Sequence, residues 1–346
     1  MFKLSVVEVA NDPTIPVQSP VSGFESITVA GYLERWLPHI RTRVRPVSYD
    51  GYESVVRCHI NPALGHLRLA ELHPLHLQDL YTDRLTTNQQ RRRRPLSPTS
   101  VLHLHLVLSQ ALQQAVRWQL LPVNPAAGAQ PPRPRRSEVL VATGDTLQHI
   151  LQLLRGHQLE VPATIALTTG MRRGEILGLR WSDLTPDYTN AHIQQTLQNS
   201  RSAGLHYEQP KTHRSRRAIA LPATLVALLT EHRSNQDARR AALADHWQDT
   251  DLIVDRGDGG PFSPNTLTSH WIRFVRENDL PHIRFHGLRH SHATLMLLEG
   301  IHPKVVSERL GHATIGITLD TYTHLLPSMQ NEAAEAIDRI FRDAAA

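Results

Sequence analysis

The stretch NPAAGAQPPRPRRSEVL, residues 124–140, holds four prolines, one glycine and three arginines. Proline locks φ and has no backbone N–H to donate, so neither a helix nor a sheet ladder runs through such a segment. It reads as a linker, and it divides the chain. The 346 residues are therefore expected to form two units, as chain length alone also favours. The resulting scheme is a loose tail over 1–25, a first domain over 26–125, the linker over 126–140, a second domain over 141–328 and a terminal helix over 329–346.

Charge is distributed unevenly across that divide. Residues 1–136 carry 16 Lys+Arg against 9 Asp+Glu, a balance of +7, and the remainder carries 21 against 23, a balance of −2. Phosphate backbones are a common partner for such an excess, because each neutralised phosphate releases counterions. A single cysteine, Cys58, excludes an internal disulfide and any multi-cysteine zinc site and fits a reduced compartment. The opening residues hold Glu8 and Asp12 and lack a sustained apolar run, and no apolar run elsewhere reaches membrane-spanning length. These features point to a cytoplasmic protein with no membrane segment.

Periodicity makes the first domain helical. In SITVAGYLERWLPHI, Val29, Tyr32, Leu33, Trp36 and Leu37 recur at helical spacing. VSYDGYESVVRCHINPALG reads as a second helix stopped at Asn61-Pro62, and LHPLHLQDLYTDRL as a third. Ser97 is placed to cap a long fourth helix with Pro98 in its first turn, closing at Pro122 and Pro125. Beyond the linker, Thr143 or Asp145 caps the next helix. AHIQQTLQ, LHYEQP and RRAIALP read as short strands, and the rest is helical again. The fold class expected is mainly α with a small β-sheet: a helical first domain and a mixed α/β second one.

Three segments carry candidate chemistry. In TTGMRRGEILGLRW, Gly170 breaks a helix and Arg172 follows, where a guanidinium meets two oxygens of one oxyanion. In RFHGLRHSHATLMLLEG, His286 and Arg289 are three residues apart and share a helix face, with His290 and His292 pointing elsewhere. The His-Glu-x-x-His pattern of metalloproteases is absent, so no metal is expected. In QPKTHRSRRAIAL, Lys211 falls in a turn between two predicted strands, among Arg214, Arg216 and Arg217. LGHATIGITLDTYTHL places Tyr322 ten residues after His312.

The order Arg172, Lys211, His286, Arg289, His312, Tyr322 resembles that of the tyrosine recombinases, the integrase family of phages and mobile elements. TGMRRGE is similar to the family's first box, HGLRHSHAT to its His-x-x-Arg box, and LGHATIGITLDTYTHL to its last. ITVAGYLERWL and the helix after Ser97 look like its core-binding, SAM-like DNA-binding domain, so the resemblance spans roughly 26 to 330. By analogy with the family, spacing from Gly170 selects Arg172 over Arg173.

The resemblance implies a site-specific recombinase that integrates or excises a mobile element through a 3′-phosphotyrosine intermediate, without ATP, metal or other cofactor. Tyr322 would be the nucleophile, Arg172 and Arg289 the clamp on the phosphate oxygens, and Lys211 the proton donor to the leaving oxygen. His286 and His312 would add hydrogen bonds or assist proton transfer, and Glu175 would orient the arginine and histidine side chains from behind. Double-stranded DNA is the implied partner, with assembly to a tetramer on it and room for an accessory directionality factor. Arg91, Arg92, Arg93, Arg94, Arg173, Arg214 and Arg216 are the basic positions expected to meet DNA. In this family a terminal helix often docks on a neighbouring protomer, and Ala333, Ala336, Ile337, Ile340 and Phe341 share one face of the last predicted helix. The alternatives are a catalytically silent DNA-binding regulator of the same fold and a type IB topoisomerase.

Overall fold

Leucine, tryptophan and tyrosine at helical spacing must find partners, and in the first unit they find one another. The computed structural model describes residues 26–86, 94–134, 141–142, 144–210, 216–322 and 329–344, apart from some side chains in the last two helices. These residues divide into two compact units, the first holding those up to 134 together with the connection Ser200–Gly204, the second holding the rest.

The first unit is built from α1 (Val29–Arg41), α2 (Pro46–Val55), α3 (Asn61–Leu64), α4 (Pro74–Leu85) and α5 (Pro98–Arg117). Thr28 caps α1 and Ser97 caps α5 through their side-chain oxygens, each satisfying an N–H that has no partner within its helix. Val29, Tyr32, Leu33 and Trp36 meet Leu104, Leu108, Ala111 and Leu112 in one core. The Tyr32 hydroxyl, taken out of water, donates to the carbonyl of Ala111 at 2.5 Å.

Two predicted boundaries move. The second helix does not stop at Asn61-Pro62: a π-helical turn, Val56–Ile60, joins α2 to α3. Proline has no N–H and its ring crowds the carbonyl four residues back. The turn, in which Asn61 N–H reaches Val56 O, absorbs that mismatch while the chain stays helical. The fourth helix ends at Arg117, earlier than the prolines suggest. Gln119 turns left-handed, with φ 59°, and Leu120 N–H closes back on Ala115 O. The Trp118 ring is thereby laid against Tyr32 and His39.

The second unit contains α6 (Gly144–Leu154), α7 (Glu160–Thr169), α8 (Arg173–Leu177), strands β1 (Asn190–His192), β2 (Thr196–Ser200), β3 (Gly204–Glu208) and β4 (Ala218–Ala220), then α9 (Ala223–Leu243), α10 (Pro264–Glu277), α11 (Phe285–Leu298), α12 (Pro303–Leu310), α13 (Ile315–Tyr322) and α14 (Met329–Ala344). Asp145 lies inside the first turn of α6 and is not its cap; Thr143 is outside the described residues. The mainly α class holds, with the strands forming two pairs, β1 with β4 and β2 with β3. The strand expected over AHIQQTLQ is interrupted. β1 pairs antiparallel with β4, Ala191 opposite Ile219, after which Gln195 turns aside to bond Gly178 O and the chain changes partner.

Helix α7 is the centre of this unit. Val161, Ala163, Ile165, Ala166 and Leu167 are all buried, the signature of a helix wrapped on every side. It packs against α11, α9, α8 and α6. Gly170 ends it with φ 66°, and a Cβ there would stand 2.6 Å from both His292 and Leu310 side chains, so only glycine lets α11 and α12 approach this turn. Among the described residues no helix is long and apolar enough to cross a membrane.

The two cores predict unequal tolerance. Leu108 is fully buried in the first, and Leu108→Ala should lower stability by about 2–5 kcal/mol, read as a drop in the urea midpoint. Exposed Leu75→Ala should move it by less than about 0.5 kcal/mol.

Candidate active site

The last carbonyls of a helix have no partner within it and carry partial negative charge. At the end of α12 three consecutive ones are taken by guanidiniums. Arg217 Nε donates to Arg309 O at 2.6 Å, Arg289 Nη2 to Leu310 O at 2.8 Å, and Arg172 Nη2 to Gly311 O at 3.0 Å. Gly311 makes this possible by turning left-handed, φ 66°, and ending the helix.

Each arginine reaches that point from a different element. Arg172 stands just before α8 in extended conformation, one residue beyond the Gly170–Met171 turn. Its backbone N–H and Nη1 bond the two carboxylate oxygens of Glu175 at 2.9 and 2.8 Å. Arg289 sits on α11, is only 3% exposed, and also donates to Gly170 O at 2.5 Å. Arg217 precedes β4 and holds Glu175 Oε2 at 3.0 Å. Burial alone would raise the Glu175 carboxyl, but Arg217 and then Arg172 outweigh it and hold the group below the ordinary carboxylate range.

Burial and the same cations set the histidines. His312 follows Gly311, and its Nδ1 lies 2.8 Å from the hydroxyl of Thr318 on α13. Burial, then Arg289 and Arg172, push its imidazole down to about 3. His286, at the start of α11, is pushed to about 4 by crowding from surrounding protein, then by His290, Arg289 and Arg172. Solvent still reaches His286, so the cationic surroundings are the firmer cause. His290 does not point away: one helical turn on, its ring stands edge-on to His286 at 4.9 Å, because residues four apart share a face. His292 does turn away. It is buried, with Nδ1 2.8 Å from Leu167 O and Nε2 accepting from Arg309 Nε at 3.3 Å.

Thus Arg172, Glu175, His286, Arg289 and His312 come together. Tyr322 is the final residue of α13, one turn beyond Thr318; its side chain lies outside the described part, as do Lys211, Arg214 and Arg91 to Arg93. Arg94 is exposed, and Arg216 donates to Gln209 Oε1 at 2.5 Å. Arg173 donates to the Thr268 hydroxyl and, with Arg172, Arg284 and His286, lines a cavity of about 540 Å³. No group of three His, Cys, Asp or Glu suited to a metal ion occurs among the described residues. Sequence reading named Arg217 only as one of a basic run. The available signal was alternation: Arg217 is two residues before Ile219, which is buried, so it lies on the strand's inward face.

Known proteins share this architecture. Residues 142–329 match the phage integrase family and residues 28–85 the phage integrase N-terminal SAM-like domain. A tyrosine recombinase XerC-like protein of Caldanaerobacter subterraneus subsp. tengcongensis is 26% identical over 337 residues, 92% of this chain and 84% of the relative. The ICEBs1 integrase of Bacillus subtilis is 27% identical over 246 residues, 70% of this chain and 66% of its own. Among solved structures, the Tn1549 transposon integrase in complex with a circular intermediate DNA has a TM-score of 0.74 at 17% identity, covering 90% of this chain and 100% of that one. A lambda integrase tetramer bound to a Holliday junction gives 0.61 at 17%, covering 86% and 78%.

The histidine shifts have a measurable consequence. His312 and His286 bind protons in the unfolded chain near the ordinary 6.5 but in the folded one only near about 3 and about 4. Their contribution is whole above pH 6.5 and fades as pH falls toward the folded values. The melting temperature should drop between pH 7 and pH 5, and NMR should find both rings neutral at pH 5.5. A ring titrating near 6.5 would contradict the cationic surroundings.

Proposed function

The chain belongs to the phage integrase family, and from that premise we propose that it is a site-specific DNA recombinase, breaking and rejoining double-stranded DNA to integrate or excise a mobile element. The observation that carries the reading is the meeting of Arg172, Arg289 and His312 at the end of α12, immediately before the helix that bears Tyr322.

The chemistry follows from charge. The Tyr322 oxygen attacks the scissile phosphorus while its proton passes to neutral His286 or to water; the P–O bond to the 5′-oxygen breaks, and Lys211 protonates that oxygen as it leaves. The products are a 3′-phosphotyrosine and a free 5′-hydroxyl, which another strand's 5′-hydroxyl reverses. A free phenol has a pKa of about 10, so nearby cations assist its deprotonation. Arg172 and Arg289, anchored on the carbonyls at the end of α12, present their remaining N–H groups to the non-bridging oxygens, on which negative charge grows in the transition state. In the tautomer in which Thr318 donates to Nδ1, His312 presents an N–H at Nε2 to the same oxygens, and neutral His286 adds a second polar group. Glu175 holds Arg172 in place from behind.

The first domain, roughly 26–125, and the second, to 328, each meet the duplex through the basic positions named above, including Arg94 on the first and Arg173 and Arg216 on the second. Assembly to a tetramer on DNA is supported by the lambda integrase arrangement. Exposed Ile337, Ile340 and Phe341 on α14 fit a contact with a neighbouring protomer. A cytoplasmic setting and an accessory directionality factor complete the reading.

The test is a covalent adduct. On a nicked, randomised duplex library, denatured after incubation, the parent protein should carry DNA on a peptide containing Tyr322, and Tyr322→Phe should carry none. Arg289→Lys should lower adduct formation by about a hundredfold or more, as loss of one oxyanion donor does. Tight DNA binding with no adduct from the parent would favour a silent regulator. Adducts that only reseal their own strand and never join a new partner would favour a topoisomerase.

A further inference from the structure

Arg217 is bound into the site more deeply than a basic loop residue has reason to be. Its side chain is 7% exposed. Nη2 and Nη1 reach the two oxygens of Glu175 at 3.0 and 3.3 Å, and Nε reaches Arg309 O at 2.6 Å. Glu175 is the carboxylate that also holds the backbone and guanidinium of Arg172. Arg309 O is two residues from Gly311 O, the other anchor of Arg172. A Cβ on Gly311 would stand 2.9 Å from Arg217 Nη1, so the guanidinium lies directly against that turn. Arg217 therefore grips both supports of Arg172, and its bonds diverge as only a planar fork allows.

We propose that Arg217 is a positioning residue for phosphoryl transfer: by tying Glu175 to the end of α12, it fixes the direction in which Arg172 presents its guanidinium to the scissile phosphate. The inference rests on the reading of Arg172 as a clamp on phosphate charge. Without Arg217, Glu175 keeps a single named cation and the Arg309 carbonyl loses a donor, so Arg172 is held from supports that move. A lysine keeps the charge but reaches one acceptor at a time.

Charge on the substrate separates positioning from general damage. Adduct formation is measured in single turnover on the recovered site, with the natural phosphodiester and with one non-bridging oxygen of the scissile phosphate replaced by methyl. The methyl group removes the charge that Arg172 neutralises. Arg217→Gln and Arg217→Lys are compared with the parent and with Arg172→Ala, each checked by melting temperature and DNA binding. On the phosphodiester, Arg217→Gln should lose roughly ten- to a hundredfold, less than or equal to the loss of the donor itself. On the methylphosphonate that loss should shrink severalfold, in parallel with Arg172→Ala. Arg217→Lys, which keeps a charge beside Glu175 and tests the idea should the glutamine variant not fold, should show a smaller loss with the same substrate dependence. Equal losses on both substrates, or no loss in a folded variant, would overturn the inference. A parent protein that forms no adduct on either substrate would overturn the recombinase reading and the inference with it.

Discussion

Like charges do not gather unless something holds them, and here the holder is the carbonyl end of α12. Arg172, Arg217 and Arg289 come from three separate elements to three successive carbonyls, Gly311, Arg309 and Leu310. Two unit charges a few ångströms apart repel by about 4 kcal/mol at 4 Å in surroundings of intermediate polarity. The helix dipole and the Glu175 carboxylate offset part of that repulsion. A surplus of positive charge remains, and a further positive charge is disfavoured. Burial first, and then that surplus, hold the imidazoles around the cluster low, His312 and His286 among them. Such a cluster is prepared for an anion with several oxygens, whose charge would complete what one carboxylate leaves undone.

The rest of the second unit serves to bring those carbonyls within reach. Buried α7 delivers Gly170, whose own carbonyl takes the other nitrogen of Arg289. The missing Cβ of Gly170 lets His292 and Leu310 close in. Arg309 then ties α12 to the end of α7 through Thr168 O and to β4 through Ala220 O, at 2.9 and 3.0 Å. Its neighbour His292 accepts from it while bonded to Leu167 O. A neutral imidazole suits both contacts, and a buried cation beside Arg309 would not. Core packing and site geometry are thus the same set of contacts seen from two sides.

Much of this was legible in the chain, for physical reasons that differ from place to place. Helices with one apolar stripe, such as α1 and α5, announce themselves through spacing, and Ser97 through its capping chemistry. Arg172 and Arg289 were legible because a glycine turn and a three-residue spacing constrain where side chains go. What escaped depended on local backbone accommodation or on tertiary partners. The π-helical turn before Pro62 and the early end of α5 at Arg117 are local accommodations that no periodicity reveals. The broken strand after His192 reflects a change of pairing partner. Arg217 reads from sequence only as one of a basic run, since its carboxylate and its carbonyl lie far away in sequence. His290 falls outside the His-x-x-Arg frame, yet four-residue spacing puts it beside His286.

The most direct test of this account is the turn that presents the carbonyls. Gly311 has φ 66°, and an added Cβ would press on the guanidinium of Arg217 at 2.9 Å; the left-handed conformation itself costs an alanine about 1–2 kcal/mol. Single-turnover cleavage by Gly311→Ala should be measured beside its affinity for the same duplex. Cleavage lower by about a hundredfold, with affinity and fold retained, is the result expected if the end of α12 organises the arginines. Cleavage at the parent rate would contradict it.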